Sequence, residues 1–122
     1  MAWIYQQSTG QLSHNGRLVT QGYAGNKSGY NNPDMQDTPD VGPLPRGIYT
    51  ITGSPFHHPH TGAYSIRLQP SRDNQMYGRA GFLIHGDSIK DPGNASNGCI
   101  ILRLNVRKEI WTSGDRQLEV IR

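Results

Sequence analysis

The chain has 122 residues, a formal net charge of +3 from twelve basic and nine acidic side chains, and one cysteine. A chain of that length makes one domain, read here as residues 1–122, and its lone thiol excludes an internal disulfide. Its scattered cations, without interleaved aromatics, argue against nucleic acid as a partner, and no window approaches the ~20 apolar residues of a bilayer span, so no membrane insertion is expected.

The N-terminal "MAWIYQQSTG" lacks a basic segment followed by an apolar core, so no cleavable signal peptide is expected. Trp3 to Gln6 and Gln11 to His14 read as extended pieces. Asn15-Gly16 then joins the second of them to residues 18–23, and Asn-Gly between extended segments is the strongest short-range hairpin signal. A meander of two or three strands follows from this. Residues 26–40, "NKSGYNNPDMQDTPD", are polar, punctuated by Gly and Pro and without an apolar period, which describes a surface loop long enough to have a function. In "VGPLPRGIYTITG" the prolines hold the chain extended, and Gly47 turns it into a strand over 48–51. "SPFHHPHTG" reads as a second loop. "AYSIRLQP" sets Tyr64, Ile66 and Leu68 against Ser65, Arg67 and Gln69 at period two, the pattern of a half-buried strand. "GFLIHG" and "GCIILRL" are short apolar runs suited to central strands. Asn105 is placed to cap a short helix with Val106 and Ile110 on one face and Gly114 ending it, before a last strand from Gln117 to Ile121. The expected fold is mainly β, with one or two short helices.

Cys99 follows Gly98 and precedes Ile100, Ile101 and Leu102, where a loop meets a buried strand. By residue type alone, a lone cysteine is a small buried side chain. Its context adds a second reading. The preceding "DPGNASNG" is all turn formers and small polar residues, so the N–H groups of Asn97, Gly98 and Cys99 are free to converge beside the sulfur, as an oxyanion hole requires. A free thiol is only a few per cent thiolate at neutral pH, so a nucleophilic cysteine needs an imidazole to take its proton or stabilise its anion. His85, at the end of "GFLI" and beside Gly86, is the best placed. Two adjacent strands ending at one sheet edge would bring His85 and Cys99 together under the intervening loop; the alternative is a histidine that only satisfies a strand end.

His57, His58 and His60 crowd "PFHHPHTG", but no second group of ligands appears at a recognisable spacing, so neither a metal nor a cofactor is expected. Asp87 is a candidate to orient His85 or to bind an ammonium group on a substrate. Asp91-Pro92-Gly93 is equally ordinary turn chemistry. A phosphate-cradling loop and a Gly-x-Ser-x-Gly elbow are both absent.

The order of these parts, carried by "STGQLSHNG", "NNPDMQDTPDVGPLPRGIYTI", "FLIHGDS" and "DPGNASNGCIIL", covers most of the chain. It resembles the L,D-transpeptidase catalytic domain family, and within it the small type VI secretion effectors that attack peptidoglycan. The resemblance implies a single β-sandwich or barrel domain and an L,D-carboxypeptidase or L,D-transpeptidase acting on stem peptides. In it Cys99 is the nucleophile, His85 its base, the Gly86 carbonyl the group that orients the imidazole, and Ser96, Asn97 and Gly98 the oxyanion-hole loop. It further implies non-classical, type VI secretion, action in the periplasm of a target cell, and an immunity protein as partner. Asn97 stands where the larger family has histidine, Ile101 where many members have a polar or basic residue, and the interval from His85 to Ser96 is shorter, which implies a different substrate-access loop. A non-catalytic β module that binds cell-wall peptides or a protein is the alternative from another class. A papain-like amidase is disfavoured because its cysteine precedes its histidine.

Overall fold

The computed structural model describes residues 2–122. Eight strands, β1 (Trp3–Gln6), β2 (Gln11–His14), β3 (Arg17–Gln21), β4 (Gly47–His58), β5 (Gly62–Pro70), β6 (Leu83–His85), β7 (Ile100–Ile101) and β8 (Gln117–Ile121), form one mixed sheet in the order β3-β2-β1-β8-β4-β5-β6-β7. A single α-helix, α1 (Leu104–Thr112), lies between β7 and β8. The fold is therefore mainly β, as the short apolar runs predict.

The first three strands are the expected meander. Asn15 and Gly16 both take positive φ, 53° and 79°, as the twist-matched turn between β2 and β3 requires. Less local is the pairing of β1, which runs parallel to β8, while β8 is antiparallel to β4. Tyr23, just past β3 at one edge of the sheet, forms a bridge with Ile101 of β7 at the other, so the sheet curls round and its edges meet. Inside lies one apolar cluster that draws on both ends of the chain, with Trp3, Tyr49, Ile84, Ile110 and Val120 almost fully buried.

Three expectations need correction. "SPFHHPHTG" is not a loop: β4 continues to His58 and pairs with β5 through two register shifts, at Thr52/Phe56 and Phe56/His58. Those irregularities admit Pro55 because a bulged residue owes no ladder hydrogen bond. The period-two reading of β5 holds at Ile66 and Leu68 but fails at Tyr64, which is only half-buried and sits at φ 58°. Asn105 does not cap α1. The N-cap is Arg103, without a side-chain cap bond, and Asn105 lies inside the first turn; Gly114 at φ 77° does follow the helix end as expected.

The loop over residues 24–46 is less superficial than its polarity suggests. It contains two single 3-10 turns, Lys27–Gly29 and Pro33–Met35, and buries Gln36, whose Oε1 accepts from Gln7 Nε2 and Arg46 N. No helix among the described residues is long and apolar enough to cross a membrane.

Candidate active site

Strands β6 and β7 are parallel, with Ile84 opposite Ile100 and His85 opposite Ile101. Because side chains alternate across a strand, Phe82, Ile84, Ile100 and Leu102 enter the core cluster, and Leu83, His85, Cys99 and Ile101 belong to the opposite face. His85 and Cys99 are thus diagonal neighbours on one face of adjacent strands. Both line a cleft of about 410 Å³ whose other walls include Gly86, Asp87, Asn97 and the hairpin tip residues His60 and Thr61. The sheet pairing that brings histidine and thiol together needs no long helix or metal; the two short apolar runs and the turn-rich segment between them suffice.

His85 is 4% exposed, and its Nδ1 donates to Gly86 O at 2.8 Å. A carbonyl only accepts, so this bond fixes the tautomer with the proton on Nδ1 and leaves the Nε2 lone pair free. Burial holds the imidazole below its ordinary pKa; the Gly86 bond opposes this, and the Arg107 charge adds to it. Burial likewise pushes the Cys99 thiol up, against the lowering effect of the Leu83 N–H, which donates to Sγ at 3.3 Å, and of the Arg79 charge. Of the two ways an imidazole can help a cysteine, these shifts favour proton acceptance at the moment of attack over a resting ion pair.

The loop before the thiol is held from several directions. Ser96, 1% exposed, donates from Oγ to Cys99 O at 2.6 Å and accepts from Gly98 N at 3.0 Å and Gly25 N at 2.8 Å. The Gly98 N–H is thereby committed to Ser96, while the N–H groups of Asn97 and Cys99 meet no oxygen acceptor among the described residues, and that of Cys99 faces its own sulfur. Ser96→Ala would strand the Gly98 and Gly25 donors in a dry site, and a loss of about 1–3 kcal/mol is expected in a urea titration, with Ser96→Thr less affected than Ser96→Ala. Asn97 Oδ1 accepts weakly from Asn26 Nδ2 at 3.4 Å, and the same amide holds Ser96 O at 2.7 Å, so the loop after β3 grips the loop before Cys99 through Asn26.

Arg79 carries no signal in the sequence. It is 8% exposed and makes no ion pair among the described residues; Nη1 donates to Gln36 O and Pro43 O, and Nη2 to Gly42 O and Asn97 O, at 2.7 to 3.1 Å. Its guanidinium lies over the Phe82 ring at 5.2 Å. One buried cation therefore ties the loop over residues 36–43 to the residue two before the thiol, and its charge acts on Cys99.

Asp87 lines the cleft, but its carboxylate is already employed. Oδ1 accepts from Tyr23 OH at 2.6 Å and from Ser88 N at 2.8 Å, and both oxygens accept from Gly93 N at 3.2 Å. Tyr23 OH in turn accepts from Ala95 N at 3.0 Å. This pair shapes the loop between His85 and Cys99, a role for Tyr23 that sequence reasoning missed. His58 Nδ1 accepts from His60 N and Thr61 N and so caps the hairpin turn that brings His60 to the cleft. Among the described residues no three His, Cys, Asp or Glu side chains gather as a metal site.

The fold and the site thus define a small β domain with a cysteine and an oriented histidine in one cleft. The family model for the Tlde1 domain matches residues 19–121, and the chain belongs to that family of type VI secretion effectors, which is L,D-transpeptidase-like. Comparisons with curated proteins and with solved structures returned no match. Membership in an effector family carries with it a cell-wall target and a cognate immunity protein.

Proposed function

We propose that this chain is a peptidoglycan-modifying cysteine enzyme that works on stem tetrapeptides through a Cys99 thioester, as an L,D-carboxypeptidase, an L,D-transpeptidase or both. The observation that carries the reading is the placement of Cys99 and His85 on one face of paired strands in one cleft, with the imidazole tautomer fixed by Gly86 O. The Cys99 sulfur attacks the carbonyl joining meso-diaminopimelate to D-alanine as His85 Nε2 takes the thiol proton. The developing oxyanion meets the Asn97 and Cys99 N–H groups, and D-alanine leaves with the proton that His85 returns to its nitrogen. Water then releases a tripeptide; an amine acceptor gives exchange or a cross-link. Family membership supports delivery by a type VI machine, and the site of action on this reading is the periplasm of the target cell, with an immunity protein guarding the producer.

Purified cell wall treated with the protein is expected to lose stem tetrapeptides, read as muropeptide masses, and Cys99→Ala is expected to leave them intact. Equal loss with the two proteins would overturn the reading. Persistence of tetrapeptides with both would favour the binding-module alternative.

A further inference from the structure

Three consecutive peptide groups lead into Cys99, and each is held by its carbonyl. Ser96 O accepts from Asn26 Nδ2 at 2.7 Å, Asn97 O from Arg79 Nη2 at 3.1 Å and Gly98 O from Leu44 N at 2.9 Å. The donors stand outside the Cys99 cleft, whose walls include Asn97 and Cys99 but not Asn26, Leu44 or Arg79. Arg79 lines instead a smaller cleft of about 150 Å³, which Asn97 also borders. The loop before the thiol is thus gripped from behind.

A trans peptide points its N–H opposite to its C=O, and no cis bond occurs among the described residues. To hold a carbonyl is therefore to aim an N–H. With Ser96 O on the Asn26 amide, the Asn97 N–H turns away from Asn26. With Gly98 O on Leu44 N, the Cys99 N–H turns away from Leu44, to the side of its own sulfur. The middle group is fixed at both ends, Asn97 O by Arg79 and Gly98 N by Ser96 Oγ. Gly98, at φ 132°, adds no resistance of its own, because glycine takes both signs of φ about equally readily. The direction of the loop must come from its partners. Arg79 suits this task because its planar fork spans two segments, holding Gln36 O, Gly42 O and Pro43 O on one side and Asn97 O on the other. Without the fork the middle group is free to turn about Asn97 ψ and Gly98 φ, and the N–H groups on either side lose their direction.

We propose that Arg79 and Asn26 are positioning residues for acylation: by holding the carbonyls of Asn97 and Ser96 they aim the Asn97 and Cys99 N–H groups at the developing oxyanion, without touching substrate. The clamp rests on the acyl-enzyme reading above for its role. Its residues act through the backbone, so their loss is felt where an oxyanion forms and not in the reactivity of the sulfur itself.

Two reagents separate these effects. Iodoacetamide alkylates the sulfur at a saturated carbon and forms no oxyanion. With p-nitrophenyl acetate the Sγ–C bond forms through an oxyanion, the C–O bond to p-nitrophenolate breaks, and the thiol proton passes to His85 Nε2. Each rate is taken as the excess over Cys99→Ala. Arg79→Lys keeps the charge that acts on Cys99 but not the fork, and Asn26→Ala trims a half-buried side chain outside the core. Outright loss of one oxyanion donor costs about 10²–10³-fold, and a misaimed donor is lost in part, so the ratio of acylation to alkylation is expected to fall at least fivefold in both variants. A merely structural clamp would lower the two rates together and keep the ratio. Circular dichroism checks the folds, and if Arg79→Lys does not fold, Asn26→Ala decides. A folded variant whose ratio falls less than fivefold, or a wild-type Cys99 that the ester does not acylate, would overturn the proposal. A lowered ratio together with tetrapeptides left intact by the wild type would fail the proposed function alone, and tetrapeptide loss with an unchanged ratio would fail the clamp alone.

Discussion

His85→Asn is expected to lower kcat/KM for release of D-alanine from a stem tetrapeptide by about 10²–10⁴-fold, roughly 3–5 kcal/mol of transition-state stabilisation. Asparagine can still face Gly86 O but has no group that takes a proton from the thiol. Because burial sets the Cys99 thiol above its ordinary value, no standing thiolate makes up for the lost base. The pH profile adds a sign that a merely structural histidine would not give. Burial lowers the His85 pKa, so the wild-type rate should fall only at a pH below about 6.5, the ordinary imidazole value, and the acid limb should vanish in His85→Asn. Stability follows the same group. Between the depressed native value and about 6.5 the unfolded chain binds a proton that the native protein does not, so stability rises with pH through that window and is lost as pH falls through it. Thermal unfolding at pH 5 and pH 7.5 should therefore differ more in wild type than in the variant. A variant with an unchanged rate or the same acid limb would remove His85 from the chemistry.

Gly98→Ala is expected to be the most destabilising single methyl on the loop before Cys99. Gly98 sits at φ 132°, and a Cβ there would come 2.6 Å from Arg79 Nη2, 2.8 Å from Phe82 Cε1 and 3.1 Å from Gly42 O. The backbone conformation costs an L-residue about 1–3 kcal/mol, and the overpacking adds a similar amount. A total of about 2–6 kcal/mol is a large part of the ~5–15 kcal/mol that holds an ordinary domain together. Gly93→Ala is the matched comparison: its φ is also positive, 87°, but nothing lies within 4 Å of its Cβ, so only the backbone strain applies. Urea midpoints for the two variants separate the effects, and equal losses would show that the Arg79–Phe82 wall yields freely. On the proposed function, Gly98→Ala should also abolish tetrapeptide cleavage before it unfolds the protein, because Arg79 Nη2 holds Asn97 O and would be pushed from the loop that places Cys99.

Local pattern made the strands and the histidine–cysteine pair legible. Asn15-Gly16 marked its hairpin by chemistry that acts within four residues, and the apolar runs ending at His85 and starting after Cys99 marked two edge-facing strand ends. Residues whose roles depend on distant partners left no such trace. Arg79 and Arg107 look like two more cations among twelve, since charged side chains are normally exposed, and nothing nearby in sequence announces that carbonyls from residues 36–43 or 63–64 converge on them. Tyr23 reads as the end of a hairpin, yet it hydrogen-bonds Asp87 and Ala95 across the fold. The extension of β4 to His58 was hidden by Pro55, whose usual meaning as a strand breaker does not apply at a bulge. The shift of the α1 cap from Asn105 to Arg103 went unseen because Asn is a strong capping type, whereas the structure leaves that helix end open.

The position of β8 bears on the timing of assembly. It is the last strand in chain order, and it lies between β1 and β4. Without residues 117–121, the only strand pairing between the three N-terminal strands and the four from β4 to β7 is the narrow bridge of Tyr23 and Ile101, and the seam between β1 and β4 is open. That bridge lies at the edge where Cys99 and His85 meet. The edge that carries Cys99 and His85 therefore depends on a seam sealed by residues distant in sequence from both of its neighbours β1 and β4, so the cleft forms with closure of the whole sheet and not by progressive local pairing.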